Sequence, residues 1–210
     1  MSHLLDILRM DLAWFNLVGS QPVAVSWGWG RVVLTACRHR EFRAVFLLRL
    51  AHRAWARKHL LLAKVLARRI LNSFGADIAY SAEIGGGLRL PHPQGVVIGG
   101  GVELGCFVTV SQHVTLGANF GRADEAGRRY PRVGDRCWIC AGAVVAGPVT
   151  VGKYVVVGAN AVVVRDVPDY VIVGGVPAEI LRTESPERNW TMGTIADRKP
   201  LSDAAYEGED

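Results

Sequence analysis

The chain has 210 residues, of which half are apolar and 20% are charged. This length and composition allow one folded domain with a buried core and exclude a wholly disordered chain. The net charge of +5 is unevenly distributed, because residues 38–70 hold ten Lys or Arg and one acid, whereas residues 183–210 hold seven acids and three bases.

The N-terminal residues do not have the pattern of a signal peptide or of a spanning helix. Asp6, Arg9 and Asp11 interrupt the apolar run that a signal peptide needs, and the uncharged residues 12–30 are too polar to span a bilayer. Four cysteines are too few for a disulfide framework. We therefore expect a cytoplasmic protein, either soluble or peripheral at the inner face of the membrane.

Residues 1–74 are predicted to form an N-terminal helical region. One helix is expected over residues 4–17, followed by a turn rich in Gly and Pro and a second apolar segment. Residues 41–74 contain no Gly or Pro and form either one helix or two helices with a break near Lys58. An unbroken helix places a row of cations on one face: Arg49, Arg53, Arg57, Lys64 and Arg68.

The basic residues of this region fit either a solvated helix face or contact with an anionic membrane surface. No nucleic-acid-binding motif accompanies them, so nucleic acid is not an expected partner. Trp14, Trp27 and Trp29 lie in the same region and suit a peripheral membrane contact.

From Gly75 onwards an apolar residue recurs every six positions, with two interruptions. These positions are Ile78, Ile84, Leu90, Ile98, Leu104, Val110, Leu116, Val133, Ile139, Val145, Val151, Val157 and Val163. A period of six is typical of a hexapeptide-repeat β-solenoid, in which each hexad supplies a short strand and a corner. We predict a mainly β fold, with a parallel β-helix over residues 75–182 and a C-terminal tail over residues 183–210.

The two interruptions are the expected location of function, because a regular solenoid wall offers no pocket. Eight residues separate Leu90 from Ile98, and this longer step contains His92. Seventeen residues separate Leu116 from Val133. The second step predicts a polar loop extruded from the coil over residues 118–132.

Several motifs resemble the serine acetyltransferase branch of the hexapeptide-repeat acyltransferases. They are residues 75–78 (GADI), 81–85 (SAEIG), 95–99 (GVVIG), 114–117 (VTLG), 142–147 (GAVVAG), 163–168 (VVRDVP) and 175–178 (GVPA). The resemblance implies a left-handed β-helix and a homotrimer with active sites between subunits, with or without pairing of trimers into hexamers. It also implies O-acetyl transfer from acetyl-CoA without a metal.

His92 is the predicted general base, and Asp77 is its predicted orienting partner. Fifteen residues separate them, nearly one eighteen-residue coil, so both can lie near the same corner on adjacent coils. A neutral imidazole can accept the proton of a hydroxyl that attacks a thioester, while a carboxylate on the other ring nitrogen fixes the tautomer.

Further site residues are implied by position within the resemblance. Four small residues match positions that contact the pantetheine arm of acetyl-CoA: Gly117, Ala118, Ala141 and Ala159. The cations available for its phosphates are Lys153, Arg165 and Arg182. Arg129, Tyr130 and His113 are candidate acceptor-binding residues, although a corner position alone also explains His113.

The spacing of Cys137 and Cys140 places one inward and one at a corner, which argues against a metal or redox pair.

The acceptor is predicted from two departures from the family pattern. Serine acetyltransferases typically have Asp before the catalytic His and His after the loop Arg, whereas this chain has Pro91 and Tyr130. These departures favour a sugar or polysaccharide hydroxyl as the acceptor, since an amino acid needs charged partners. The alternatives are a serine O-acetyltransferase and, from a different class, a non-catalytic solenoid that binds a protein partner.

Overall fold

The structure is a computed structural model that describes residues 2–15, 28–119 and 121–184. It begins with four helices, α1 (Ser2–Phe15), α2 (Trp29–Arg38), α3 (Arg40–Ala56) and α4 (Leu60–Phe74). Lys58, with a φ of 64°, lies in the turn between α3 and α4, so residues 41–74 contain the predicted break. No helix in the described ranges combines the length and the hydropathy needed to cross a bilayer.

Fourteen short strands follow the helices. They are β1 (Asp77–Ile78), β2 (Glu83–Ile84), β3 (Val97–Ile98), β4 (Glu103–Leu104), β5 (Thr109–Val110), β6 (Thr115–Gly117), β7 (Arg132–Val133), β8 (Trp138–Ile139), β9 (Val144–Ala146), β10 (Thr150–Val151), β11 (Val156–Val157), β12 (Val162–Val163), β13 (Val171–Gly174) and β14 (Glu179–Thr183). The predicted mainly β fold is confirmed: the strands form a left-handed parallel β-helix behind an N-terminal helical region.

The coil has three flat faces. Face 1 contains β1, β3, β6, β9 and β12; face 2 contains β2, β4, β7 and β10; face 3 contains β5, β8, β11, β13 and β14. Every pairing is parallel except that of β13 with β14. We name the corners edge A (face 3 to face 1), edge B (face 1 to face 2) and edge C (face 2 to face 3).

The six-residue period marks the side chains that point into the interior of the coil. The residues predicted from the period are buried in one continuous core from Ile78 to Val163, with Ile84 half-buried at its margin. The final strand, β14, was not predicted from the period because it turns back antiparallel and its residues are exposed.

The helices attach to the coil through buried polar contacts. Trp14 of α1 is 6% exposed, and its indole N–H donates to the hydroxyl of Thr109 on face 3 at 3.0 Å. The expectation that Trp14 contacts a membrane is therefore wrong, because its ring is covered by the coil. Trp27 lies outside the described residues.

Arg49 is also not part of an exposed cationic row. Its guanidinium binds both carboxylate oxygens of Asp11 at 2.8 and 2.9 Å and donates to the carbonyls of Ile84 and Gly85 at 2.6 Å. Asp11 in turn accepts from the backbone amides of Gly87 and Leu88 at 2.8 and 2.9 Å. This ion pair thus joins α1 and α3 to edge C.

Candidate active site

Edge A brings His92 close to the start of the coil that carries Asp77. The amide of Gly95 donates to the carbonyl of Gly75 at 2.9 Å, and Asp77 is the register partner of Val97. The longer step that contains His92 therefore runs beside the segment that leads into β1. These contacts place Gly95 beside Gly75 and Val97 beside Asp77, one coil apart, and the proximity of the His92 and Asp77 side chains stays a prediction.

The side chains of His92 and Asp77 are both exposed. The hydrogen bonds of the described residues do not join the His92 ring to the Asp77 carboxylate. Catalytic hydrogen bonds are often long before substrate binds, so this geometry is compatible with a base that is oriented in the complex. An exposed imidazole is also accessible to an incoming hydroxyl.

His113 lies at the same corner, one coil after His92. Its φ of 59° is the left-handed conformation of a tight corner, and its amide donates to the carbonyl of Gln94 at 2.9 Å. The ring covers Gly95 so closely that a Cβ at residue 95 would lie 2.3 Å from Nδ1. Gly95 therefore allows His113 to lie against the segment that carries His92.

Ala141 and Ala159 continue edge A on the next two coils. The amide of Asn160 donates to the carbonyl of Ala141 at 2.9 Å, which places the two alanines above one another. Both side chains are at least partly accessible. Their small side chains are compatible with the predicted contact of these positions with a thin pantetheine arm.

Edge B carries the remaining small residues and the extruded loop. Gly117 ends β6 at this corner and Ala118 follows it, and the loop returns through Arg129 to β7. Arg129 is exposed, and Arg165 is exposed at the same edge beyond β12. These residues lie across face 1 from His92.

Tyr130 packs onto the wall of the coil. Its ring covers Gly99 and Gly101, where added Cβ atoms would lie 2.6 and 2.5 Å from ring carbons. The ring is half-buried against the core of the coil. One face of the Tyr130 ring is thus occupied by the coil, which leaves less of the ring available to contact an acceptor.

Arg128 fastens the extruded loop to the coil, a role that was not predicted from the sequence. Its Nε donates to Asp124 Oδ2 at 2.9 Å, while Nη2 and Nη1 donate to the carbonyls of Pro148 and Val149 at 2.9 and 3.2 Å. Hydrogen bonds from Arg128 lower the pKa of the Asp124 carboxyl, so this ion pair persists to a lower pH than an unpaired aspartate would allow. The spacing of four residues between Asp124 and Arg128 is the sequence feature that could have indicated this ion pair.

Two of the three candidate cations lie elsewhere and have acidic partners. Lys153 is on edge C, where its ammonium lies 3.4 Å from Asp135. Arg182 is on β14 and pairs with Glu184 at 3.1 Å. The structure therefore brings only Arg165 of this set to the edge that holds Gly117 and Ala118.

Cys137 and Cys140 are separated by the wall of the coil. Cys137 points into the core, and its thiol donates to the carbonyl of Gly152 at 3.0 Å. Burial raises the pKa of the Cys137 thiol to about 12 and also raises that of Cys140. Among the described residues, no group of three or more His, Cys, Asp or Glu is placed to hold a metal ion.

The comparisons with known proteins agree on one family. The family model for bacterial transferase hexapeptide (six repeats) matches residues 130–165. Serine acetyltransferase of Mycobacterium tuberculosis is 45% identical over 145 residues, which span 68% of this chain and 61% of the relative. Serine acetyltransferase of Bacillus pumilus is 36% identical over 178 residues, which span 85% of this chain and 79% of the relative.

Solved structures give the same result. A serine acetyltransferase of Neisseria gonorrhoeae in complex with serine has a TM-score of 0.71 at 30% identity, covering 86% of this chain and 70% of that one. A serine acetyltransferase in complex with CoA has a TM-score of 0.71 at 31% identity, with the same two coverages. The chain therefore belongs to the serine acetyltransferase family and is an acyltransferase of the hexapeptide-repeat class.

Proposed function

We propose that the chain transfers the acetyl group of acetyl-CoA to the hydroxyl of L-serine, forming O-acetylserine and CoA. The observation that carries this proposal is the identity of 36–45% to relatives named serine acetyltransferase, over 68–85% of the chain. This acceptor replaces the sugar hydroxyl expected from the sequence, because the relatives favour the serine alternative and none of those described above is named for a sugar substrate.

The proposed reaction uses His92 as the general base. The serine hydroxyl gives its proton to the imidazole as its oxygen bonds to the thioester carbonyl carbon. The carbon–sulfur bond then breaks, and the imidazolium returns the proton to the CoA sulfur. Asp77 stabilises the imidazolium during this exchange, without becoming protonated.

Arg129 is the proposed partner of the serine carboxylate. Its guanidinium is exposed at the end of the extruded loop and can form a bidentate contact with a carboxylate. Arg128 holds the loop against the coil immediately before Arg129. Tyr130, by packing onto Gly99 and Gly101, fixes the loop on the other side.

The proposed site is completed by a second copy of the chain in a homotrimer. His92, Ala141 and Ala159 lie on edge A, whereas Arg129 lies on edge B, and face 1 separates the two edges within one chain. The outward register positions of face 1 include Val97, Val144 and Val162, and Val97 is 38% exposed. By contrast, the outward positions of face 2 include the ion pair of Glu103 with Arg132. Face 1 is therefore better suited than face 2 to burial between subunits.

The proposal is tested by measuring kcat/KM for L-serine and for sugar acceptors at the same acetyl-CoA concentration. Release of the CoA thiol reports turnover, and L-alanine, which has no hydroxyl, is the matched control for serine. We expect efficient turnover with serine, none with alanine, and little with sugars. Turnover of a sugar at rates above those of serine would overturn the assignment.

A further inference from the structure

The α3–α4 turn ends in leucines that face solvent. Leu61 is 77% exposed, and Leu60, Leu62 and Val65 are each more than half exposed. Ala63, Ile70 and Phe74 form the buried side of α4, so Leu61 and Val65 lie on its opposite side, one turn apart. We name Leu60, Leu61, Leu62 and Val65 the tip patch. Exposed apolar clusters of this kind mark interaction sites.

The tip patch is surrounded by positive charge. Six cations lie on the same two helices and the turn between them: Arg53, Arg57, Lys58, Lys64, Arg68 and Arg69. Within the described part of the chain, no ion pair involves any of the six. The sequence has no acid between Glu41 and Asp77. The tip patch is therefore apolar with an uncompensated basic border.

The apolar tip patch and its basic border together determine which kind of partner can bind there. In a symmetric pairing of two copies, each patch meets the same patch, so the two basic borders would face each other and repel. An anionic surface has the complementary charge. A cluster of leucines bordered by Lys and Arg is the pattern that binds the headgroup and acyl boundary of an anionic bilayer.

We infer that the tip patch docks the protein onto an anionic lipid bilayer, with Leu61 and Val65 entering the acyl boundary and Lys58 and Lys64 contacting lipid phosphates. This surface lies on the basic helices for which the sequence allowed a membrane contact, but Trp14 has no part in it, because its ring is buried against the coil. The interaction is independent of the acceptor, since the tip patch contains none of the proposed site residues.

The test is flotation of the purified full chain with vesicles. Vesicles of phosphatidylcholine alone are compared with vesicles that also contain phosphatidylglycerol. We expect binding to the anionic vesicles only, with a decrease as salt is added. Leu61→Ser should weaken this binding about ten-fold, because it removes the most exposed apolar side chain of the patch. Lys64→Glu should weaken it at least about five-fold.

Two matched control variants test whether a loss of vesicle binding is specific to the tip patch or follows from any change of surface charge or hydropathy. Leu71→Ser changes an exposed leucine of α4 that lies about 15 Å further along the helix, at 1.5 Å per residue. Arg38→Glu changes an exposed cation at the end of α2. Both variants should bind anionic vesicles within about two-fold of the unmodified chain.

Three results would overturn the inference. They are no binding to anionic vesicles, equal losses in the tip variants and the controls, or light scattering that shows paired trimers dissociated by Leu61→Ser. The last result would assign the tip patch to a second copy. Acetyl transfer to free serine in the absence of vesicles is measured on the same variants, so failure of the lipid contact and failure of the proposed reaction are distinguishable.

Discussion

His92 is the residue on which the proposed chemistry depends most. We expect His92→Ala to reduce kcat by about 10²–10⁴, the usual contribution of one general base. The fold should be retained, because the side chain is exposed and belongs to a segment that interrupts the repeat. The measurement is steady-state turnover of serine, with circular dichroism as a check on folding.

Two further variants complete this prediction. Asp77→Asn should lower kcat less than His92→Ala, since an orienting carboxylate acts through the imidazole. His59→Ala changes an exposed histidine in the α3–α4 turn and should leave turnover unchanged. Retention of more than about a tenth of the activity in His92→Ala would place the base elsewhere.

Cys137 allows a prediction about reactivity. Its pKa of about 12 keeps the thiol protonated at neutral pH, and protonated thiols are poor nucleophiles. Iodoacetamide should therefore modify the exposed Cys37 in the folded protein, and should modify Cys137 only after denaturant is added. Peptide mass spectrometry measures both sites. Rapid modification of Cys137 in the native state would show that the core opens locally.

The same pKa predicts a dependence of stability on alkaline pH. An unfolded thiol ionises near its ordinary value of about 8.5, whereas the folded thiol keeps its proton up to about 12. The protonated Cys137 thiol therefore contributes its full share to the free energy of unfolding below the pKa of the unfolded thiol. This contribution is lost as the pH rises towards the pKa of the folded thiol.

At the scale of single residues, the sequence predicted positions better than contacts. The period of six placed Cys137 inside the coil, and the longer step marked His92 as a site residue. Neither signal predicts that Arg49 is buried, because the partner Asp11 lies 38 positions away. The contact of Tyr130 with Gly99 was not predictable for a similar reason, since it requires the returning loop.

Among the elements, α1 and α3 are held to the coil by the buried pair of Asp11 and Arg49. Asp11→Ala leaves a buried guanidinium without its carboxylate, so we expect a loss of about 3–5 kcal/mol in the free energy of unfolding. Asp6→Ala breaks the exposed pair with Arg9 on the same helix and should cost less than about 1 kcal/mol. Urea denaturation of the two variants measures the difference. Equal losses would show that the buried pair has no special role.

The extruded loop depends on Arg128. Arg128→Ala removes its bonds to Asp124 and to two carbonyls of the coil, and should misplace the neighbouring Arg129. We expect kcat/KM for serine to fall by about 10-fold to 100-fold, a range typical of small misplacements at a site. The KM for acetyl-CoA should change less.

Two variants control this prediction. Arg122→Ala removes an exposed cation from the same loop without touching these bonds, and should retain activity. Arg128→Lys should not restore the lost activity, because an ammonium cannot reproduce the planar fork of the guanidinium. Restoration by lysine would mean that charge alone, and not the position of the loop, matters.

The elements themselves were predictable wherever the repeat is regular. Each hexad buries an apolar side chain at a fixed register, so the faces and corners follow from the spacing alone. The end of the coil was not predictable in this way. β14 pairs antiparallel with β13 and exposes Ile180 and Leu181, so no buried period marks it.

In the whole molecule, the proposed site residues lie on both margins of face 1. His92 and Asp77 belong to edge A, and Arg129 belongs to edge B. If three copies pack with face 1 towards a common axis, edge A of each copy lies beside edge B of the next. One complete site then contains the base of one subunit and the loop of its neighbour.

This arrangement predicts complementation between two defective variants. His92→Ala trimers lack the base at every site, and Arg129→Ala trimers lack the carboxylate partner at every site, so each should turn over serine poorly. Every mixed trimer, with one or two copies of either variant, places an intact edge A beside an intact edge B at about one of its three sites. We therefore expect co-expressed, co-purified mixed trimers to recover about a third of the unmodified activity.

The controls distinguish a site shared between two subunits from an effect of subunit mixing alone. A chain that carries both substitutions, co-expressed with His92→Ala, contains no intact edge A and should recover nothing. The mixed oligomers are isolated through different affinity tags, and their mass is measured by light scattering. If each site belonged to a single chain, no mixture of the two single variants would contain an intact site. Mixed trimers without recovered activity would then place His92 and Arg129 in one subunit and contradict the shared site.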